Sequence, residues 1–259
     1  MRLIIDKGNT RCKWMLWDGK TIKQGAIIVP TGSNKIDEVI DALNQIIDDN
    51  NVTESVMGCV GDGGDVIATF LEQKCSRFLS VTGKTQAPII NPYPTLGADR
   101  LGAIVGAWNM FAGTNMLIID AGTCVTYELL LDSGVYKGGN IAPGLPLRAL
   151  AMNKFTNALP LIEFNQYEPN ELINNLTYVG YDLDTAMLAG LLHGFCFEVV
   201  GFADKLREQY PDLMVILTGG DSYYMEAAFA KTKHTYQNIP DLVLRGYNDL
   251  FEYNIYANK

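Results

Sequence analysis

Apolar and polar positions along the first half of the chain follow two patterns, one typical of strands and the other typical of a helix. Short apolar runs that end at turn residues are typical of strands, and Asp18-Gly19 between two such runs favours a tight hairpin turn. From Ile36 to Ile47 the apolar residues recur at helical spacing, which predicts an amphipathic helix. The predicted elements of this half are strands over 3–5, 12–17 and 21–29, a helix over 36–47, a strand over 55–60, a helix over 66–74 and a strand over 78–81.

The second half repeats this order of elements after a break near residues 113–115. An apolar run over 101–108 precedes the break, and a strand meander with a turn at Asp132-Ser133-Gly134 follows it. The predicted elements are strands over 116–119, 125–131 and 135–139, a long helix over 185–209 and a strand over 213–217 that leads into a further helix. The pattern therefore predicts an α/β protein of two domains, residues 1–114 and 115–259.

The two halves also share a stretch of sequence. "LIIDKGNT" at residues 3–10 returns as "LIIDAGTC" at residues 117–124, and the match continues at the same spacing to Gly25 and Gly139. Since β-hairpins are common, coincidence is the alternative explanation. A register that is kept over the whole hairpin favours duplication of one ancestral half.

Composition and charge limit the classes of protein to which the chain can belong. The chain has 259 residues and a formal net charge of −9, which repels nucleic acid and anionic lipid, so neither is expected as a partner. Asp6 interrupts the N-terminal apolar run, and His193 and Glu198 interrupt the apolar stretch over 186–203. We therefore expect no signal peptide and no membrane span. The five cysteines form no CxxC pair, which favours a reducing cytoplasm.

The repeated Asp-x-Gly turn has the residue types of a phosphate-binding loop. Glycine lets backbone N–H groups approach a ligand, and a neighbouring hydroxyl adds a further donor. The aspartate repels phosphate but can hold a cation that bridges to it. Two such turns facing each other could hold a polyphosphate from both sides, although one alone is also an ordinary turn. A P-loop is excluded, because the glycine needed before Gly83-Lys84-Thr85 is replaced by Phe78.

Taken together, the motifs resemble those of the type III pantothenate kinases, in the superfamily of actin, sugar kinases and heat-shock ATPases. The resemblance covers nearly the whole chain and rests on DKGNT (6–10), GADR (97–100), DAGTCVTYE (120–128), GGNIAPG (138–144), TAMLAG (185–190) and LTGGD (217–221). It implies two duplicated ribonuclease-H-like domains, as in actin-like ATPases, with a nucleotide cleft between them. It also implies a homodimer that phosphorylates pantothenate with ATP and Mg²⁺, the first step of coenzyme A biosynthesis.

The resemblance places the catalytic base at Asp99. A carboxylate suffices for this role, because the alcohol proton leaves late in a loose phosphoryl-transfer transition state. Arg100 beside it would supply a fixed positive charge for the pantothenate carboxylate or the phosphoryl oxygens. From the residues alone, a helix-capping aspartate followed by a surface arginine is the alternative, and only the resemblance favours catalysis.

On the ATP side the resemblance implies that the first turn and Thr123 bind the nucleotide. Asp6 is expected to organise Mg²⁺ through water, and Asp120 to help bind a monovalent cation, K⁺ or ammonium. A strand-end aspartate held by turn amides is the alternative for Asp120. The family generally has a small apolar residue at the position of Lys7, whose side chain could lie beside phosphate or point into solvent. The expected first-turn contacts are Asp6, Lys7, Gly8, Asn9, Thr10, Arg11, Cys12 and Lys13.

On the acceptor side the resemblance implies that pantothenate contacts the loop that leads to Arg100. The expected contacts are Tyr93, Gly97, Ala98, Asp99, Arg100 and Thr185. Thr185 begins the long helix, where its hydroxyl or a free backbone amide could hold a substrate oxygen. Simple N-capping by Asp184 or Thr185 is the alternative there.

Two other functions stay open at this point. Another small-molecule kinase or a phosphohydrolase of the same superfamily would share the pair of turns and differ in the acceptor loop. A regulatory accessory factor without enzymatic activity is the other possibility, against which the intact Asp99-Arg100 pair argues. Acceptor-dependent formation of ADP separates the three.

Overall fold

The chain forms two units in the computed structural model, which describes residues 1–8, 11–29, 35–91, 93 and 95–257. The first unit consists of residues 1–111 and 242–259, and the second of residues 112–241. Elements of the first unit are β1 (Arg2–Lys7), β2 (Arg11–Trp17), β3 (Thr21–Ile28), α1 (Lys35–Asp49), β4 (Glu54–Cys59), α2 (Gly64–Lys74), β5 (Arg77–Val81), α3 (Ala98–Phe111) and, from the far end of the sequence, α8 (Leu242–Glu252) with a π-helical turn over Tyr253–Ala257.

The second unit contains the remaining elements. They are β6 (Met116–Ala121), β7 (Cys124–Leu130), β8 (Tyr136–Pro143), α4 (Leu145–Phe155), a 3₁₀ turn over Phe164–Gln166, α5 (Pro169–Asn175), α6 (Leu183–Arg207), β9 (Met214–Thr218), α7 (Ser222–Phe229) and β10 (Tyr236–Asn238).

Both units contain a five-stranded sheet of the same topology. The strand order is β3-β2-β1-β4-β5 in the first unit and β8-β7-β6-β9-β10 in the second. In each sheet the first three strands form an antiparallel meander, and the last two lie parallel to the first strand of the unit. The predicted α/β fold with a duplicated half is therefore confirmed.

The two meanders differ by one residue at the turn that carries the repeated motif. In the first unit Lys7 pairs with Cys12, so four residues lie between them, whereas Ala121 pairs with Val125 across three. Trp14, opposite Ile5, consequently corresponds in position to Tyr127, opposite Ile119, although the sequence match aligns Trp14 with Glu128. The constant spacing in the sequence is therefore not kept in the strand pairing.

Alternation along β1 separates two faces of the first sheet. Leu3 and Ile5 are fully buried in a core formed with α1 and α2. Arg2 and Asp6 point to the opposite face, where both side chains meet residues of α8. Because adjacent residues of a strand face opposite sides, Lys7 must lie on the face of Leu3 and Ile5.

Helices α3 and α8 cross at unusually short range through glycines. A β-carbon on Gly246 of α8 would lie 1.8 Å from the carbonyl oxygen of Gly102 in α3. One on Gly106 would lie 2.6 Å from the carbonyl oxygen of Leu242. No side chain fits at these positions, so the backbones themselves are in contact.

Helix α8 is also anchored to the sheet at the start of β1. The Arg2 guanidinium donates to the Asn248 side-chain oxygen at 2.6 Å, to Glu252 at 2.7 Å and to Glu54 at 2.9 Å. Its Cζ lies 4.0 Å from the ring centre of Phe251. A buried guanidinium with several carboxylate and amide acceptors fixes the position of the helix along the strand.

The domain boundary predicted from the sequence differs from these units. Residues 242–259, predicted to belong to the second half, form part of the first unit, because α8 packs on α3 and β1. The break predicted near 113–115 lies close to the observed division after Phe111. The sequence pattern does not predict α4, α5, α8 or β10.

Asp249 on α8 gives the first unit a stability that depends on pH. Burial raises the pKa of its carboxyl to about 6, despite a hydrogen bond from Asn109. A raised pKa in the folded state means that the protonated form contributes stability at low pH, and that this contribution is lost as the pH rises through 6.

We therefore expect Asp249→Asn to be more stable than the wild-type protein above pH 6. The expected increase in Tm at pH 8 is about 3 °C, a shift that corresponds to roughly 1 kcal/mol in a chain of this size. The difference should shrink at pH 5, where the folded wild-type carboxyl is mostly protonated. Thermal unfolding at pH 8, 6.5 and 5 measures it, and a difference that grows on acidification would contradict the assignment.

Candidate functional site

The first phosphate-type turn lies at the carboxyl end of β1. The Gly8 amide donates to the Arg11 carbonyl at 2.9 Å and closes the turn. Asn9 and Thr10 lie outside the described residues, so their predicted contacts stay predictions. Arg11 is exposed and Lys13 half-buried. Cys12 is fully buried, and burial raises the pKa of its thiol to about 12.

Asp6, near the end of β1, faces α8. The Tyr247 hydroxyl from α8 donates to its Oδ1 at 3.4 Å, and the carboxylate is partly exposed. Tyr247 itself is fully buried. The first turn is thus linked to a residue at the far end of the sequence.

Lys7 lies on the opposite face of the sheet from Asp6. It is 2% exposed, and its Nζ donates to the Asp62 carbonyl at 2.8 Å, in the glycine-rich loop after β4. Its own carbonyl accepts from the Val60 amide at 2.9 Å. Neither alternative expected for the side chain, beside phosphate or in solvent, describes this position. Lys7 instead holds the loop before α2 against the end of β1.

We expect Lys7→Met to leave the KM for ATP within about threefold of the wild-type value, because the ammonium is bound on the face away from Asp6. Methionine keeps the length of the chain in the apolar surroundings. Initial rates at varied ATP measure the effect, with Asp6→Asn as the positive control. A tenfold rise in KM would show that the ammonium acts on the phosphates after all.

Asp99 lies in the first turn of α3. Its Oδ1 accepts from the Arg100 amide at 2.9 Å, and a β-carbon on Gly97 would lie 2.6 Å from the same oxygen. The Leu101 amide donates to the Gly97 carbonyl at 3.0 Å and starts the helix, with Ala98 buried between them. Gly97 therefore leaves room for the Asp99 carboxylate, which is partly exposed.

The Arg100 guanidinium is buried beside the acceptor loop. Arg100 is 6% exposed, and its Cζ lies 5.3 Å from the ring centre of Tyr93. This contradicts the alternative of a surface arginine. The Tyr93 amide donates to Asn91 at 2.9 Å, which fixes the turn that presents the ring. A cation held over an aromatic face provides a fixed positive charge.

Tyr93 also lines a cavity of about 330 Å³ in the first unit. The other lining residues are Gly83, Lys84, Thr85, Ala87, Ile89, Asn91 and Leu101. Its mixed apolar and polar lining suits a small amphipathic molecule.

The second turn lies at the carboxyl end of β6, within the second unit. The Gly122 amide donates to the Cys124 carbonyl at 2.9 Å, and Thr123 is exposed. A β-carbon on Gly219, which has φ of 95°, would lie 2.4 Å from Oδ1 of Asp120. The end of β9 thus packs directly on the aspartate that ends β6.

The second turn also contacts the start of α4. The Gly144 amide donates to the Thr123 carbonyl at 3.0 Å, and a β-carbon on Gly144 would lie 2.0 Å from the Gly122 carbonyl oxygen. Gly144 is the N-cap of α4, whose first-turn amides lack helical acceptors. The close approach explains why the motif GGNIAPG ends in glycine.

Thr185 is bound in the N-terminal cap of α6, in the second unit. The N-cap is Asp182, two residues before the predicted Asp184, and its Oδ1 accepts from the Thr185 amide at 2.8 Å. The Thr185 hydroxyl donates to the same oxygen at 2.6 Å. These hydrogen bonds lower the pKa of Asp182. The capping alternative is therefore observed, with Asp182 as the cap.

Comparison with known proteins identifies the family. A family model described as type III pantothenate kinase matches residues 2–205. The chain belongs to this family. A type III pantothenate kinase from Bacteroides fragilis is 35% identical over 257 residues, with 98% of both chains covered.

Solved structures share the fold of this type III pantothenate kinase family member. A protein described as a Baf family transcriptional activator from Campylobacter jejuni has a TM-score of 0.64 at 15% identity, with 97% of this chain and 98% of that chain covered. The activator of 2-hydroxyisocaproyl-CoA dehydratase from Clostridium difficile, with bound ADPNP, has a TM-score of 0.56 at 14% identity, covering 98% and 94%.

A kinase of this family uses ATP with a divalent metal, and the residues present fit Mg²⁺. Among the described residues no group of three or more His, Cys, Asp or Glu side chains forms a metal cluster. Mg²⁺ retains most of its waters and commonly takes one or two carboxylates plus phosphate oxygens. Asp6, beside the first turn, is partly exposed and carries a carboxylate of that kind.

Tyr247, which contacts Asp6, is not among the residues predicted from the sequence. The packing of Gly144 and Gly219 on the second turn is not predicted either. The glycines lie in the motifs GGNIAPG and LTGGD, so their position was a usable signal. No local signal marks Tyr247, because its partner is distant in sequence.

Proposed function

We infer that this chain is an ATP-dependent pantothenate kinase, which forms 4′-phosphopantothenate in the first step of coenzyme A biosynthesis. The match to the family model over residues 2–205 carries this conclusion, because that range includes both phosphate turns and the acceptor loop. ATP and pantothenate are the substrates. The reaction transfers the γ-phosphoryl group to the primary hydroxyl of pantothenate.

In this proposal Asp99 is the general base. As the new O–P bond forms, its carboxylate accepts the hydroxyl proton of pantothenate, while ADP leaves with the electrons of the broken P–O bond. The Arg100 amide that donates to Oδ1 holds the carboxylate in one orientation. The second carboxylate oxygen is left to face the alcohol.

Arg100 and Tyr93 support the acceptor in this scheme. The buried guanidinium provides a fixed positive charge for a carboxylate or phosphoryl oxygen in a chain of net charge −9. Tyr93 gives the cavity of the first unit an aromatic wall for the apolar part of pantothenate. The backbone at Gly97 and Ala98 leads from the acceptor loop into α3. We also assign Thr185 a substrate contact. Its hydroxyl donates to Asp182 and accepts from the Tyr181 and Asp182 amides, so a substrate oxygen would have to replace one of these hydrogen bonds.

The two turns divide the ATP-side roles. Asp6 would hold hydrated Mg²⁺, and amides of the first turn would donate to phosphate, as would the exposed Thr123. The Gly8 amide would do so only by exchanging its hydrogen bond to the Arg11 carbonyl for one to phosphate. When bound, Mg²⁺ neutralises charge on the phosphates. Asp120 would bind a monovalent cation, K⁺ or ammonium, at the second turn. Equal rates of pantothenate phosphorylation in Na⁺ and K⁺ buffers would contradict this role of Asp120.

An acceptor-dependent assay tests the function. ADP formation is followed in a coupled assay with Mg²⁺ and ATP, with and without pantothenate, and the product is identified by mass spectrometry. We expect ADP and 4′-phosphopantothenate in equal amounts. ADP that forms at the same rate without pantothenate would indicate a phosphohydrolase, and a panel of sugar acceptors would reveal another kinase.

We further propose a homodimer that forms through α6. The exposed rings of Tyr178 and Phe197 lie 6.2 Å apart at an angle of 7°, and the His193 ring lies beside both, 4.4 Å from Tyr178 and 6.3 Å from Phe197. Tyr178 is 67% and Phe197 63% exposed, and Tyr181 nearby is 80% exposed. An aromatic surface of this kind is typical of protein interfaces. Light scattering that gives the mass of a single chain would exclude the dimer.

The cell location proposed is the cytoplasm, with no nucleic acid or membrane as partner. The net charge of −9 supports the absence of both. Among the described residues α6 alone is long and apolar enough to cross a membrane, and half of its apolar window is buried within the protein. Retention of the protein in the membrane fraction after cell lysis would contradict this location.

A further inference from the structure

Tyr247 reaches the candidate metal-binding aspartate through a space made by two glycines. A β-carbon on Gly58 of β4 would lie 2.1 Å from the Tyr247 hydroxyl oxygen and from Cζ. A β-carbon on Gly102 of α3 would lie 2.7 Å from Cε1 of the same ring. The ring is therefore held between the sheet and α3, and its hydroxyl ends at Oδ1 of Asp6.

The same ring touches the helix that carries Asp99. Gly102 follows Asp99 by three positions, so both lie on one face of α3, one turn apart. Because Gly246 and Gly102 are in backbone contact, Tyr247 cannot move relative to α3 without displacing α8. One buried side chain thus meets the carboxylate of the first turn and the helix of the candidate base.

We infer that Tyr247 is a positioning residue for Mg·ATP: its hydroxyl orients the Asp6 carboxylate and its ring sets the place of α3 beside it. A hydroxyl that donates to one carboxylate oxygen leaves the other oxygen in a defined direction, as outer-shell donors do for metal ligands. The inference rests on the proposed role of Asp6 in holding hydrated Mg²⁺. Tyr247 itself contacts neither substrate nor metal in this account.

The variant Tyr247→Phe removes the hydroxyl and keeps the ring between Gly58 and Gly102. We expect the Mg²⁺ concentration that gives half-maximal kcat to rise about tenfold or more, as found when outer-shell partners are removed. Calorimetry should show a matching loss of affinity for Mg·ATP and unchanged affinity for metal-free ATP. The KM for pantothenate and the Tm should stay close to the wild-type values.

Tyr256→Phe is the matched control. The Tyr256 hydroxyl is hydrogen-bonded to the Glu54 carboxylate in the same unit. Glu54 pairs with Arg2 at the start of β1 and β4, so this hydrogen bond lies at the opposite end of the two strands from Asp6. The control removes a tyrosine-to-carboxylate hydrogen bond, together with the one that the Tyr256 hydroxyl accepts from Arg77, at a site away from Asp6. We therefore expect its Mg²⁺ dependence to match that of the wild-type protein.

The outcomes separate a positioning role from a structural one. If Tyr247→Phe lowers the Tm or the active fraction and leaves the Mg²⁺ dependence and Mg·ATP affinity unchanged, the inference is overturned. It is also overturned if Tyr256→Phe shifts the Mg²⁺ dependence equally. Asp6→Asn provides the further comparison: if it behaves as wild type, the proposed role of Asp6 fails together with the inference. If only Tyr247→Phe behaves as wild type, the inference alone fails.

Discussion

Asp99→Asn is expected to lower kcat for pantothenate phosphorylation by about 100-fold or more, the usual contribution of a positioned general base. The amide cannot accept the alcohol proton, yet its side-chain oxygen can still accept from the Arg100 amide as Oδ1 does now. The fold and the affinity for ATP should therefore change little. Steady-state rates, nucleotide binding by calorimetry and thermal unfolding measure the three quantities.

Asp65→Asn is the control for this variant. Asp65 lies in the first turn of α2, as Asp99 lies in the first turn of α3, so both variants remove one acidic group from a helix start of the same unit. If the fall in kcat of Asp99→Asn were caused only by the loss of a charge at a helix N-terminus, Asp65→Asn would lower kcat to the same extent. Near-normal turnover of Asp99→Asn would remove Asp99 from the mechanism.

Gly246→Ala is expected to destabilise the first unit strongly. The new methyl group would lie 1.8 Å from the Gly102 carbonyl oxygen and 2.9 Å from the Gly106 amide nitrogen. These are backbone atoms, and Arg2 ties α8 to β1, so the overlap is not relieved by a rotamer change. We expect a loss of about 3 kcal/mol or more in the free energy of unfolding, at the upper end of overpacking effects.

Thermal and urea unfolding measure this loss, and Gly201→Ala is the control. Gly201 lies within α6 and is exposed, and a methyl group at this position would have no atom of another element within 4 Å. Alanine there should stabilise the helix by about 0.5–1 kcal/mol. A Gly246→Ala protein as stable as the wild type would show that α3 and α8 do not cross at the distance described.

Local patterns were sufficient to predict the strands of both meanders. The apolar runs and turn glycines of both meanders lie within short stretches, so alternation and turn residues fix their strands. The same alternation also decides the position of Lys7: a neighbour of Asp6 on one strand must face the other side. The signal for its burial is therefore contained in the sequence, in the period of β1.

Contacts between distant residues could not be predicted in this way. The assignment of α8 to the first unit depends on the contact of Gly102 and Gly106 with Gly246. Glycines within a helix do not indicate in the sequence which other helix they contact. The extra residue in the first turn is also hidden, because an ungapped match of the two halves is compatible with either pairing. The cap at Asp182 was predicted two residues late, since boundaries of helices are the least certain part of such predictions.

The return of α8 to the first unit has a consequence for biosynthesis on the ribosome. Residues 112–241 are continuous, whereas the first unit needs residues from both sides of that segment. During translation the second unit can therefore complete its core while the first still lacks the helix that covers β1 and α3. The first unit therefore begins synthesis earlier but receives its last helix only after the second unit has been synthesised.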